Sequence, residues 1–113
     1  VMSQKYTNEA RLFKAFCDEN RLHILALLRS GEKCACNLEE VLTISQSTLS
    51  HNMKILVESG VVTVRKDKKW SYYAISEEGA ALAQNRLKDV LDIAPCTTDC
   101  GCQTRTGNGG LCE

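Results

Sequence analysis

Residues 44–60 read ISQSTLSHNMKILVESG, a short turn followed by a two-faced helix. Leu49, Met53 and Leu56 recur at i, i+4 and i+7, an apolar stripe fit to pack on a core, and Ile55 and Val57 broaden it. The other stripe carries Ser47, Ser50, His51 and Lys54, with Gln46 and Thr48 in the first turn. Short hydrogen-bonding side chains massed at the N-terminal end are what a helix-turn-helix presents to base edges in the major groove. An ordinary surface helix also has a polar outer face, so the neighbouring segments decide. Upstream, a short helix at roughly Leu38 to Leu42 is joined by only Thr43 to Ser45, as a helix-turn-helix requires. Downstream, VVTVRKDKKWSYYAI places two β-prone runs either side of a charged tip at Lys66 to Lys68, which predicts a hairpin. The fold expected is mainly α with a β-hairpin wing, an α+β winged helix-turn-helix.

At 113 residues, with 43% apolar and 25% charged side chains, the chain has the composition of one soluble globular domain. Aromatic residues make up only 5%, so the core must be aliphatic, which suits helices. No apolar run approaches membrane-spanning length and no signal-peptide pattern is present, which predicts a cytoplasmic protein with no membrane partner. Net charge is zero, yet Lys54, Arg65, Lys66, Lys68 and Lys69 stand against only Glu58 and Asp67 between positions 54 and 69. That local excess of three positive charges lies on the reading helix and hairpin, where phosphate contacts would supply salt-dependent DNA affinity. Charge at a hairpin tip also serves solubility alone. Seven cysteines, an odd number without an export signal, make a poor disulfide framework and point to thiol chemistry or metal binding.

Residues 1–7 read as a flexible N-terminus. From Asn8, Leu12, Phe13 and Phe16 keep helical spacing, and Asp18 or Asn20 can cap the next helix, RLHILALLRSG, which Gly31 stops. Leu22, Ile24, Leu25, Leu27 and Leu28 cover so much of that helix that it is expected to be central and buried, with His23 a solvent-edge or hydrogen-bonded histidine. In EKCACNLEEVL, Asn37 followed by Glu40 is a variant of the capping box, so Asn37 is the expected N-cap and both cysteines precede the helix. Residues two apart on an extended segment point the same way, whereas inside a helix they diverge by about 200°. Cys34 and Cys36 can therefore converge on one atom, beside a helix dipole that favours the metal-binding thiolate. The alternative is two small buried hydrophobes.

Ser76 is the expected cap of a last helix with Glu77 and Glu78 in its first turn, running to about Ile93. Ala83, Leu87, Val90, Leu91 and Ala94 trace an apolar seam along it, read as a homodimer face together with the first helix. The folded unit is thus 8–94. After Pro95, residues 95–113 have the composition of a flexible tail, yet Cys96, Cys100 and Cys102 form a CxxxCxC run that reads as a second thiol cluster. Cys17 and Cys112 are read as non-ligands.

In this order, FKAFCDENRLHILALLRSGEKCACNL, ISQSTLSHNMKILVESGVV and RKDKKWSYYAIS closely resemble the ArsR/SmtB family of metal-sensing winged-helix repressors, from Asn8 to roughly Ile93. The resemblance implies a dimer that binds double-stranded operator DNA when metal-free and is released by metal. It further implies that Gln46, Ser47, Thr48, Ser50 and His51 face bases or phosphates, and that Arg65 to Lys69 form the wing. Family sensors of arsenic and antimony, and of cadmium and lead, often carry Cys-x-Cys where Cys34 and Cys36 stand. Here the chain departs from the pattern. The third cysteine of one arsenic type is replaced by Glu39, no cysteine precedes Cys17, and no histidine lies between Glu77 and Ile93 for the family's zinc site. The expected site is Cys34 and Cys36 with one of Cys96, Cys100 or Cys102, from either subunit, and a tail-only site of those three is the rival. Three thiolates favour As(III) or Sb(III) as effector, and four favour Cd(II), Pb(II) or Zn(II). A repressor responding to thiol oxidation is the second reading and a small thiol redox enzyme the remote one.

Overall fold

The structure, a computed structural model, describes residues 2–93. Five helices and three short strands follow one another as α1 (Met2–Lys14), α2 (Glu19–Leu28), β1 (Lys33–Cys34), α3 (Ala35–Leu42), α4 (Gln46–Ser59), β2 (Val62–Asp67), β3 (Trp70–Ile75) and α5 (Glu77–Leu91). This is the mainly helical winged helix-turn-helix the sequence predicts, with α3 and α4 as the motif and β2–β3 as the wing. Among the described residues no helix is long and apolar enough to cross a membrane.

Local signals explain most of the boundaries. The Asp18 carboxylate accepts from the backbone N–H groups of Asn20 and Arg21, satisfying two of the orphan donors of α2. Ser45 accepts from the Thr48 N–H to start α4, and Ser76 accepts from the Gly79 N–H to start α5. Gly60, at φ 89°, closes α4 in the left-handed conformation that glycine adopts without strain. The predicted stripe of α4 is the heart of the core: Leu49, Met53 and Leu56 are buried, against Ile24 and Leu28 of α2 and Leu38 of α3.

Two boundaries differ from the sequence reading. Helix α1 begins at Met2, so residues 2–7, expected to be loose, are helical. Helix α3 begins at Ala35, with Cys34 as its N-cap and no side-chain cap bond, which puts Asn37 inside the first turn. The cause is tertiary: Lys33 and Cys34 pair antiparallel with Tyr73 and Tyr72, and this third strand fixes where extended backbone ends. Helix α2 is central, but only Ile24 and Leu28 are fully buried, while Leu22 is 52% exposed and His23 lies at the surface. Along α5 only Ala83 of the apolar seam is covered, and Leu87, Val90 and Leu91 are exposed. Ala94 and the tail from residue 95 onward lie outside the described residues.

One close approach ties α5 to the motif. A Cβ on Gly79 would stand 1.8 Å from the Gly60 carbonyl oxygen and 3.1 Å from the Val61 Cα, so the first turn of α5 lies directly on the C-cap of α4. The Ser76 N–H donates to the Val61 carbonyl at 2.7 Å, locking the same junction. Gly79→Ala forces two backbones apart. It is expected to cost about 2 to 3 kcal/mol despite the better helix propensity of alanine. Thermal unfolding should show Tm lowered by roughly 10 to 20 °C; an unchanged Tm would mean that α5 is not anchored there.

Candidate nucleic-acid interface and thiol site

The reading helix is presented by its buried face. With Leu49, Met53 and Leu56 inside, Gln46, Ser47, Thr48, Ser50, His51 and Lys54 are all exposed, as the two-stripe pattern requires. Ser45 also donates to the Thr48 hydroxyl at 2.9 Å, so the cap orders the first exposed turn as well as the backbone.

The orientation of α4 rests on a pair that the sequence reading missed. Asn52, only 4% exposed, lies beside Met53 on the inner face. Its side-chain oxygen accepts from Arg21 Nη1 at 2.8 Å, and its Nδ2 donates to the Thr48 carbonyl at 3.0 Å. Arg21 donates further from Nε to the Ala15 carbonyl and from Nη2 to the Lys14 carbonyl, at 3.0 and 3.2 Å. One guanidinium thereby joins the end of α1, the start of α2 and the middle of α4. A signal was available: Asn52 stands three residues after Leu49 and four before Leu56, a core position where a polar side chain needs a partner.

The wing follows α4 through Gly60 and Val61. Its strands pair from Val62 with Ile75 to Asp67 with Trp70, leaving Lys68 and Lys69 at the tip and Lys68 at φ 59°. Lys66, Lys68 and Lys69 are exposed, and the Lys69 ammonium lies 5.3 Å from the centre of the Trp70 ring. Arg65 is engaged differently. Its Nε and Nη2 donate to the two carboxylate oxygens of Glu32 at 3.1 and 2.8 Å. Its guanidinium also lies over the Tyr72 ring, 4.5 Å from the centroid. The bonds from Arg65 hold the Glu32 carboxyl below the usual carboxylate range, and Glu32 raises Arg65 in turn.

At the entrance to α3, the Cys34 and Cys36 sulfurs are 2.8 Å apart. The convergence expected from the sequence is present, but by another geometry. Cys34 is extended, at φ −75° and ψ 146°, and Cys36 is already in the first helical turn. The hydrogen bond with Cys36 holds the Cys34 thiol below the usual range, helped by the backbone N–H groups of Cys36 and Asn37 at the helix start. Desolvation and Glu39 oppose this. Cys36 is raised, first by its bond to Cys34 and then by desolvation. The two thiols are therefore unequal, Cys34 being the more readily ionised of the pair. Two soft sulfurs converging from positions two apart can share one thiophilic ion. Among the described residues no group of three or more His, Cys, Asp or Glu side chains is placed to hold a metal ion. Cys17 is exposed and donates to the Phe13 carbonyl, away from this pair. Cys96, Cys100 and Cys102 lie outside the described residues.

Residues 18–64, from the cap of α2 into β2, match the family described as bacterial regulatory protein, arsR family. An arsenical resistance operon repressor of Staphylococcus xylosus is 37% identical over 107 residues, spanning 95% of this chain and 98% of that protein. The chain belongs to the arsR family. A further relative, a cadmium resistance transcriptional regulatory protein homolog of Staphylococcus aureus, is 34% identical over 79 residues, 69% of this chain and 65% of that one. Among solved structures, one titled as a possible transcriptional regulator for arsenical resistance superposes with a TM-score of 0.65 at 31% identity, covering 74% of this chain and 85% of that chain. This arsR-family chain is accordingly a DNA-binding winged-helix transcriptional repressor by family.

The inequality of the two thiols is directly measurable. Iodoacetamide labelling of Cys34 in the reduced protein should follow a pH midpoint below the ordinary thiol value of about 8.5. Cys36→Ala removes the hydrogen-bond partner and should move that midpoint upward, so alkylation at neutral pH slows. A midpoint indifferent to Cys36→Ala would show that the sulfurs do not share a proton.

Proposed function

We propose that this protein is a homodimeric repressor acting in the cytoplasm, whose operator affinity is relieved when Cys34 and Cys36 bind trivalent arsenic or antimony. The observation that carries the reading is the pair of sulfurs 2.8 Å apart at the N-terminus of α3, the short helix that immediately precedes the reading helix. The names of the arsenical resistance relatives favour the same effector. Gln46, Ser47, Thr48, Ser50, His51 and Lys54 would meet bases and phosphates, and Lys66, Lys68, Lys69 and Arg65 would contact backbone along the flanking groove. The exposed Leu82, Leu87, Val90 and Leu91 of α5, with Tyr6 of α1, support a dimer through the first and last helices.

A two-sulfur site is incomplete for a three-coordinate ion. The third ligand we assign to Cys96, Cys100 or Cys102, from the same or the partner subunit. A fourth thiolate would turn the preference to Cd(II), Pb(II) or Zn(II), and the cadmium resistance relative keeps that second reading in place. Release requires the effector to bind better to a dimer that fits the operator badly. Helix α3 begins at the site and packs beside α4, so a shift of α3 changes the spacing of two reading helices that must meet half-sites about 34 to 36 Å apart. A regulator of transcription, not an enzyme, is what the geometry supports.

The test is a titration of operator affinity for the reduced dimer with arsenite, antimonite, cadmium, lead and zinc, for the full chain, Cys34→Ser, and a truncation after Pro95. Arsenite is expected to weaken DNA binding at least tenfold in the full chain and to lose that effect in Cys34→Ser and in the truncation. A truncated protein that responds fully would remove the tail from the site. Release by peroxide in metal-free protein, with no response to any of the ions, would establish the thiol-oxidation reading instead.

A further inference from the structure

The sheet brings the thiol pair and the wing onto one line. Cys34 on β1 is opposite Tyr72 on β3, and Tyr72 is opposite Arg65 on β2, so the three residues form a single rung across the sheet in the order β1-β3-β2. Side chains on one rung project from the same face. The Arg65 side chain accordingly crosses the Tyr72 ring, at 4.5 Å, and reaches Glu32, two residues before Cys34. There it makes the bidentate fork, at 3.1 and 2.8 Å, that a guanidinium also makes to a phosphate. A carboxylate from the segment leading into the thiol site thus occupies the one arginine of the wing.

We propose that Glu32 is a built-in competitor of DNA for Arg65, and that the Cys34–Cys36 pair sets how firmly it competes. With the pair unliganded, Glu32 stands just before the two-residue strand β1, outside both strand and helix, and a phosphate can displace its carboxylate from Arg65. An effector bridging the two sulfurs fixes the backbone on both sides of Ala35, holds Glu32 in place, and so withdraws a phosphate contact from each wing. This coupling rests on the thiol-effector reading above. The competition between Glu32 and phosphate does not.

The experiment is a double-mutant cycle on the full-length reduced protein, using fluorescence anisotropy and a duplex selected for tight binding by the effector-free protein, at several salt concentrations. Glu32→Gln should tighten effector-free DNA binding about two- to fivefold per subunit, the scale of a single exposed ion pair. It should also steepen the plot of log affinity against log salt by about 0.9 per subunit, one added phosphate contact. Glu40→Gln, which removes the same charge from the exposed side of α3, should leave that slope unchanged. In an Arg65→Ala background Glu32→Gln should have no effect. If Glu32→Gln acts equally with and without Arg65, or leaves both affinity and slope unchanged, the competition is overturned.

The second arm adds arsenite. Sulfur-to-arsenic absorbance without DNA should show Glu32→Gln binding arsenite as wild type does, while the ratio of DNA affinities without and with arsenite falls about two- to fivefold per subunit. A ratio equal to that of wild type overturns the coupling. If arsenite fails to loosen wild-type protein from DNA, the effector reading and the coupling fall together, and the effector-free cycle still decides whether Glu32 competes with phosphate.

Discussion

The position of the reading helix depends on one half-buried guanidinium. Arg21 closes the carbonyl end of α1 through Lys14 and Ala15 and holds Asn52 in the middle of α4. Carbonyls at a helix C-terminus lack partners within the helix and carry partial negative charge, so a cation there satisfies bonding and dipole together. Lysine has neither the planar fork nor the reach to three acceptors in different directions. Apolar packing of Leu49, Met53 and Leu56 keeps α4 on the core, but it is tolerant of rotation and sliding. The directional bonds to Asn52 remove that freedom, so the same six exposed side chains always face outward.

From that fixed helix the rest of the fold inherits its position. The C-cap at Gly60 lies against Gly79, which ties the start of α5 to the end of α4 by backbone contact with no side chain between them. The exposed apolar seam of α5 is therefore carried rigidly with the reading helix, and a dimer built on it would set the separation of two such helices. What is less firmly held is the sheet. Of β2 only Val62 is buried, β1 is two residues long, and both depend on β3 for their pairing. Movable parts of a regulator are drawn from such thinly packed elements.

Much of this was readable in the sequence where the signal is local. The two faces of α4, the hairpin, and the caps Asp18 and Ser76 follow from periodicity and side-chain chemistry within a few residues. The start of α3 was misplaced because Asn37 and Glu40 form a plausible capping pair, while strand β1 is too short to show any alternation. Pairing with Tyr72 and Tyr73 then overrode the local preference. The convergence of Cys34 and Cys36 came out right although its assumed cause, two extended residues, holds only for Cys34. Pairs such as Glu32–Arg65 and Arg21–Asn52, more than thirty positions apart, leave no trace in spacing. Only the oddity of an asparagine on an apolar stripe hinted at the second.

The strength of the Glu32–Arg65 contact matters as much as its place. A deeply buried ion pair would be too firm to yield to DNA, because breaking it leaves an uncompensated charge. Here both side chains are substantially exposed, 55% for Arg65 and 39% for Glu32, so either partner can turn to water or to another ion at little cost. Exposed pairs shift an equilibrium only a few-fold each. Two of them in the proposed dimer would multiply, giving roughly 25-fold where each gives fivefold, inside the range of about 5- to 150-fold over which allosteric effectors act. A weak contact repeated by symmetry can therefore regulate where a strong one would lock the wing in a single state.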